Sequence, residues 1–310
     1  MNNTLITGGA GFIGSHVVQA LTRRNHEVRV FDNLSTGSLA NLEGLPVAFQ
    51  QGDIRNLDEL AAAMKGAEFV YHFAAFISAP DSVTQPEACY QTNILGSLNV
   101  LKAAQQAGVK RVVLASSAAV YGDTEDAVPE DAPKNPASPY AVSKLAMEET
   151  ARLYSRTYGL ETVCLRFFNV YGPGQSPDSA YAAVIPQFIS DLDAGIGITI
   201  LGDGGQTRDF IYVDDVAEAC LLAMEHPDAA GGTFNIAGGR SISILDLAGI
   251  LQGFYSEAPE VQFGPSRPGD VRLSLADIGH AQAALGYRPK TALVDGLAQT
   301  VEWFRRRHTE

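Results

Sequence analysis

The chain has 310 residues, 46% of them hydrophobic and 18% charged, with a formal net charge of −13 at pH 7. That length can bury one large core, or a large domain with a smaller one beside it. The acidic balance argues against nucleic-acid binding while leaving room for an anionic small molecule held by local arginines.

Taken in chain order, a strand carrying Leu5 and Ile6 leads into Thr7-Gly8-Gly9-Ala10-Gly11-Phe12-Ile13-Gly14, and residues 15–24 read as an amphipathic helix. Glycines between a strand and a helix let the backbone turn tightly and approach a pyrophosphate, which the helix N-terminus stabilises. A second strand, 27–32, closes on Asp32, eighteen residues past Gly14. A carboxylate there accepts ribose hydroxyls and repels a 2′-phosphate. No Arg follows in Asn33-Leu34-Ser35-Thr36-Gly37, so NAD is favoured over NADP.

Strand 47–52, helix 56–65, strand 68–72, a long helical stretch 87–107, strand 110–115, a helix bearing Tyr140 and Lys144, and strand 161–166 continue the alternation. This order predicts an α/β fold, a Rossmann-like doubly wound parallel sheet covered on both faces. Ligands of such sheets bind beyond the carboxyl ends of the strands, where Asp53, Phe73-Ala74-Ala75, Ser116-Ser117 and Phe168-Asn169 fall. From Tyr171 the chain turns rich in Gly, Pro and Asp, with short elements at 198–201 and 210–212. Residues 213–224 and 233–237 read as one more helix and strand of the large sheet. The expected division is 1–168 with 212–237 as a dinucleotide-binding domain, and 169–211 with 238–310 as a smaller α/β lobe over the crevice.

Cys89, Cys164 and Cys220 are widely spaced and odd in number. Reduced, buried thiols in the cytoplasm fit them, and no spacing suggests a metal site. No basic-then-apolar leader opens the chain and no apolar run reaches ~18 residues, so neither secretion nor membrane contact is expected.

Tyr140 and Lys144 stand four residues apart on one predicted helix, so their Cβ atoms lie about 5–6 Å apart on one face. A fixed cation lowers the pKa of a phenol from about 10, and such a pair can take a proton from an alcohol while a hydride leaves its carbon. An isolated Tyr–Lys pair is more often a solvated helix face, a serine at a strand end is by default a cap or turn, and a single arginine is by default a surface residue. In company the same residues read differently. Ser117 faces the Tyr140 helix from a strand end, and the guanidinium forks of Arg208 and Arg267 suit a diphosphate, with Asp270 able to accept ribose hydroxyls.

The ordered set Thr7-Gly-Gly-Ala-Gly-Phe-Ile-Gly14, Asp32-Asn33-Leu34, Gly52-Asp53, His72-Phe-Ala-Ala75, Ser116-Ser117, Tyr140-Ala-Val-Ser-Lys144, Arg166-Phe-Phe-Asn-Val-Tyr-Gly172 and Arg267-Pro-Gly-Asp270 spans nearly the whole chain. It resembles the extended short-chain dehydrogenase/reductase superfamily, and within it the nucleotide-sugar 4-epimerases. The resemblance implies an NAD-dependent UDP-hexose 4-epimerase. Tyr140 would be the base, Lys144 would lower its pKa and hold the nicotinamide ribose, and Ser117 would bond the sugar O4. Gly8, Gly11, Phe12, Ile13, Asp32, Asn33, Ser35, Asp53, Ile54, Phe73, Ala74, Ala75 and Asn93 would line the NAD site, with Phe168 near the nicotinamide. Asn169, Val184, Arg208, Arg267 and Asp270 would hold the UDP half. The family also implies a homodimer, formed by pairing the long helices near 87–107 and 139–158.

Relatives that dehydrate or decarboxylate nucleotide sugars carry an acidic residue where this chain has Ala118-Ala119. That difference favours epimerisation over a net oxidoreductase or lyase of the same fold. A non-catalytic NAD-binding sensor is the third reading, disfavoured by the intact Ser117, Tyr140 and Lys144. The resemblance also points to Ser274, two residues before Ala276-Asp277, as the limit on space around sugar C2: a bulky residue excludes an N-acetyl group and a small one admits it. Ser78 could then hydrogen-bond the acetamido group. The bland alternative is that Ser274 is a turn residue out of sight of the pocket.

Overall fold

A computed structural model of the chain describes residues 3–176, 183–266 and 271–307. Strands β1 (Asn3–Thr7), β2 (Glu27–Asp32), β3 (Val47–Gln51), β4 (Phe69–His72), β5 (Arg111–Ser117), β6 (Glu161–Phe167) and, further along, β10 (Thr233–Ile236) make one sheet, ordered β10-β6-β5-β4-β1-β2-β3 and parallel throughout. Its central strands are buried on both faces, which is why they read as apolar runs such as Val112-Val113-Leu114 and Val163-Cys164-Leu165 rather than as alternations.

Helices α1 (Phe12–Arg23), α2 (Leu57–Met64), α3 (Ala79–Thr84), α4 (Pro86–Tyr90), α5 (Ser97–Ala107) and α6 (Pro139–Tyr158) supply the crossovers and covers. The long stretch expected over 87–107 is interrupted: a π turn, Gln91–Gly96, separates α4 from α5. Helix α2 takes Asn56 as its cap, the side chain accepting from the N–H groups of Asp58 and Glu59. Helix α6 opens with Ser138 as cap and Pro139 in its first turn, and closes on Gly159 in the left-handed conformation.

After β7 (Asn169–Tyr171) come α7 (Val184–Asp193), β8 (Thr199–Leu201) and β9 (Thr207–Tyr212), which runs directly into α8 (Val213–Glu225) against α1. Strand β11 (Ser241–Ser243), α9 (Ile244–Gln252), β12 (Gln262–Gly264), α10 (Gly279–Leu285) and α11 (Leu293–Arg307) complete the order. A small sheet, β11-β9-β7, and the parallel pair β12-β8 form the lobe. Its own core includes Ile185, Phe188 and Ile189 of α7, Leu247 and Leu251 of α9, and Leu297 and Val301 of α11. One segment departs from the expected division: Ala281, Leu285 and Tyr287 belong to the core beneath the large sheet, because α10 packs on the edge strand β10.

Below the carboxyl ends of β5 and β6 lies a buried ion pair. Arg166 donates from Nε and Nη2 to the two Glu148 oxygens at 2.9 and 2.6 Å, and from Nη1 to the Tyr121 hydroxyl at 2.8 Å. Both side chains are almost fully buried, at 2% and 0% exposure. Ser116 also donates to Glu148, and Tyr121 donates to Asn235 Oδ1 on β10. Removing one partner strands an uncompensated charge. Arg166→Met should therefore lower the unfolding free energy by about 3–5 kcal/mol, and the double change Arg166→Met/Glu148→Leu should recover most of it, in urea titrations.

Candidate active site

The carboxyl ends of β1, β2, β4 and β5 open onto a cavity of about 330 Å³ walled by the glycine loop, Asp32, Asp53, Phe73-Ala74-Ala75, Ser117, Tyr140 and Lys144. Gly8 sits at φ +76°, and a Cβ there would lie 2.3 Å from the Ala74 nitrogen, so only glycine lets these two loops touch. Helix α1 has no side-chain cap and no acidic residue in its first turn, and Gly11, Phe12, Ile13 and Gly14 all line the cavity. Its unsatisfied N–H groups offer an anion site. Asp32 is bound on both oxygens, accepting from Ala10 N–H at 3.0 Å and Leu34 N–H at 2.8 Å, which locks the glycine loop to the end of β2. Asn33 donates to Asp53, whose carboxyl is held down at about 2, chiefly by its hydrogen bond with Arg55. Ser35 and Ile54 complete this end. Glycine loop, uncapped helix and carboxylate together fit a nicotinamide dinucleotide.

At the other end, Tyr140 and Lys144 rise from the first turns of α6. Lys144 Nζ lies 5.8 Å from the Tyr140 ring centre and donates to the Ala115 carbonyl at 2.8 Å. Burial lowers its ammonium to about 8, nearby thiols and Glu148 offsetting part of the loss. Burial raises the Tyr140 phenol, and the group that pulls it down is the neighbouring Ser117 hydroxyl. The sequence suggested the lysine in that role. In this structure its charge is weakened by burial and directed at the Ala115 carbonyl. His72, beneath, is pushed down to about 3 by burial and then by Lys144, and bridges Thr7 and Ser97.

Two further cavities lie on the lobe side and share Arg208 and Asn169. The first, about 340 Å³, is walled by Ser117, Ala118, Ala119, Phe168 and Ser274 among others. The second, about 410 Å³, is walled by Ser78, Val184 and Phe210 among others. Arg208 Nη1 donates to the carbonyls of Thr207 and Val271 at 2.9 and 2.6 Å, fixing the guanidinium between the two. Asn169 donates to the Asp209 carbonyl and to Ser274 Oγ at 3.3 Å. Ser78 caps α3, accepting from Asp81 N–H, with its hydroxyl proton still available. Arg267 and Asp270 lie outside the described residues.

Asn93, expected on the cofactor wall, is 1% exposed and sits behind that wall. Its amide accepts from Phe76 N–H at 2.7 Å and donates to the Phe76 carbonyl and Ser143 Oγ, clamping the loop after β4 to α6. The neighbouring Thr92 lines the cavity instead. Phe168 does line it, but so does Phe167, which stacks on Phe73 with ring centres 6.5 Å apart. Ser116, placed at the crevice by its strand end, lines the cavity as expected, whereas Phe167 and Gln175 were not singled out from the sequence. Phe167 could have been, since it adjoins a residue that was. Gln175 follows the turn Gly172-Pro173-Gly174, which carries no chemical signal.

A family profile described as the NAD-dependent epimerase/dehydratase family matches residues 4–237. A UDP-glucose 4-epimerase of Mycolicibacterium smegmatis is 40% identical, over 97% of this chain and 98% of that one. A dTDP-glucose 4,6-dehydratase of Streptomyces antibioticus is 35% identical, over 98% and 92%. Among solved structures, a UDP-N-acetylglucosamine 4-epimerase from Methanobrevibacter ruminantium, in complex with UDP-N-acetylmuramic acid, superposes with a TM-score of 0.95 at 38% identity and covers 99% of both chains.

A buried lysine costs stability wherever the unfolded chain holds its proton more tightly. With the Lys144 pKa falling from 10.5 to about 8 on folding, that cost is full below pH 8 and fades as pH rises toward 10.5. Lys144→Met should therefore stabilise the cofactor-free protein by about 1–2 kcal/mol at pH 7. The gain should shrink toward zero by about pH 10.5, as read by urea titration across that range.

Proposed function

The chain belongs to the NAD-dependent epimerase/dehydratase family, and from that premise we propose that it interconverts C4 epimers of UDP-hexoses, acting on UDP-Glc/UDP-Gal and on UDP-GlcNAc/UDP-GalNAc. NAD, held by the glycine loop, Asp32 and Lys144, would supply a reversible hydride acceptor for sugar C4. Tyr140 acts as the phenolate, a state that Lys144 and the cationic nicotinamide of bound NAD would favour, taking the proton of the C4 hydroxyl as the hydride leaves and returning it when the hydride does. Ser117, whose hydroxyl already pulls that phenol's pKa down, steadies the same oxygen. Lys144 carries the positive charge at this end of the cavity and orients the nicotinamide ribose. Arg208 and Asn169, at the wall shared by the lobe cavities, hold the diphosphate while the ketone turns to offer its other face.

The observation that carries epimerisation over elimination is the lining of the cavity beside Ser117. It runs over Ala118 and Ala119, and no carboxylate lines it among the described residues. Elimination of a C6 hydroxyl, or a sensor without turnover, has no use for this arrangement: the first needs an acid there and the second needs no proton acceptor. The relative named as a dehydratase is 35% identical over 98% of this chain, which is why the lining residues and not overall identity bear the choice.

Substrate breadth rests on Ser274. It lines the same cavity as Ser117 and its hydroxyl meets Asn169, which supports a view of the sugar rather than a remote turn. Exposed Leu95, Leu98, Val142 and Leu153 around α5 and α6 support a homodimer built on those helices. Three buried free thiols support the cytoplasm as its compartment. Among the described residues no helix is long and apolar enough to cross a membrane.

Tyr140→Phe should abolish turnover of UDP-Glc while NAD stays bound, and Ser117→Ala should cost about 10²–10⁴ in kcat. Coupled product assays with absorbance of the bound cofactor check both, and near-normal turnover by the Phe variant would refute the mechanism. Ser274→Tyr should remove activity on the N-acetylated pair and spare the plain hexoses. Equal loss on both substrates, or a wild-type enzyme inert toward UDP-GlcNAc, would count against that assignment.

A further inference from the structure

Gln175 stands where the cofactor cavity meets the lobe cavity beside α7, and it lines both. Its loop is held firmly. His16 of α1 bridges the Pro173 carbonyl at 2.9 Å and Asp214 of α8 at 2.7 Å, and Gly174, at φ +88°, packs toward Phe12 and His16. The Gln175 backbone N–H bonds the Gly172 carbonyl at 3.3 Å, and its side-chain Nε2 donates to the Val170 carbonyl at 3.2 Å. A carbonyl can only accept, so that contact fixes which end of the amide is which. The remaining oxygen, Oε1, is buried and receives no hydrogen bond among the described residues. A buried, orientation-locked acceptor without a donor calls for an explanation, and at a shared cavity wall the simplest is a donor carried in by a ligand.

We propose that Gln175 is a cofactor-binding residue whose Oε1 accepts from the N–H of the nicotinamide carboxamide. The proposal rests on the NAD-dependent reading above. The adenosine end of the cavity is marked by Asp32, Asn33 and Asp53, whereas Gln175 belongs with Phe167, Phe168 and Val170 at and after the end of β6, the side of Tyr140 and Lys144. The diphosphate carries no donor. The nicotinamide ribose hydroxyls would accept from the Lys144 ammonium and keep their own O–H donors, whereas the carboxamide N–H is the donor on the ring itself, and holding it restrains the ring from rotating about its bond to the ribose. A sugar hydroxyl reaching the same wall from the lobe side would offer similar donor chemistry, and the experiment separates the two.

Nucleotide-free protein is titrated calorimetrically with NAD and with its 3-acetylpyridine analogue, in which a methyl group replaces the amide NH₂. Wild type should bind NAD roughly 5- to 10-fold more tightly, the worth of one hydrogen bond. Gln175→Met, similar in length and without the acceptor, should bind the two within about 2-fold, its preference lost with that bond. Equal affinities in wild type overturn the proposal without needing the variant. So does a Met variant that keeps the full preference, including one whose only change is a raised KM for the UDP-sugar, which would give the acceptor to a sugar hydroxyl. Wild-type protein that binds neither nucleotide would instead remove the cofactor premise itself.

Discussion

Everything at the reactive end of the cavity depends on the ion pair between Arg166 and Glu148. Tyr140, Lys144 and Glu148 recur at four-residue intervals along α6, so they form one stripe facing the sheet. Its last member is gripped by the Arg166 guanidinium from β6 and by the Ser116 hydroxyl from β5. Ser116 adjoins Ser117, so the serine and the tyrosine proposed to meet over one oxygen are tied to the same carboxylate. Burying such a pair costs several kcal/mol of desolvation per ion, and a hydrophobic substitute could be as stable. What the pair supplies is register: α6 cannot slide along the sheet without breaking paired, hydrogen-bonded charges.

The adenosine end uses the same logic with different chemistry. Asp32 accepts from the glycine loop and from the residue two beyond itself, and Gly8 lies against Ala74. Three strand ends are therefore stitched together before any nucleotide arrives, and little ordering remains to be done on binding. A carboxylate that appears in the sequence as a ribose ligand is also part of the loop's scaffold. Substituting it would change the shape of the site along with its charge.

Much of this was legible in the sequence because the features were local. A parallel sheet buries both faces of its strands, so apolar runs separated by helical stretches announced it, and glycine spacing and Asp32 marked the crevice. Tyr140 and Lys144 needed only helical periodicity to be put side by side. What was not legible depends on partners distant in the chain. Asn93 looks like a cavity residue until Phe76 and Ser143 claim its amide. The acceptor opposite Lys144 is a backbone carbonyl on β5, which no residue type advertises. Gln175 acquires meaning only from its fold back onto Val170, and α10 joins the large core because β10 is an edge strand in need of cover.

The π turn over Gln91–Gly96 has a mechanical meaning. It points Asn93 and, just beyond it, Ser97 inward, toward Phe76 and His72, while Leu95 and Leu98 face solvent at 55% and 38% exposure. One short, irregular stretch of helix thus has the cofactor loop on its inner side and an apolar grip on its outer side. Pressure applied to those leucines bears directly on the clamp that shapes the cavity wall, so a subunit docking there would stiffen the catalytic crevice from behind.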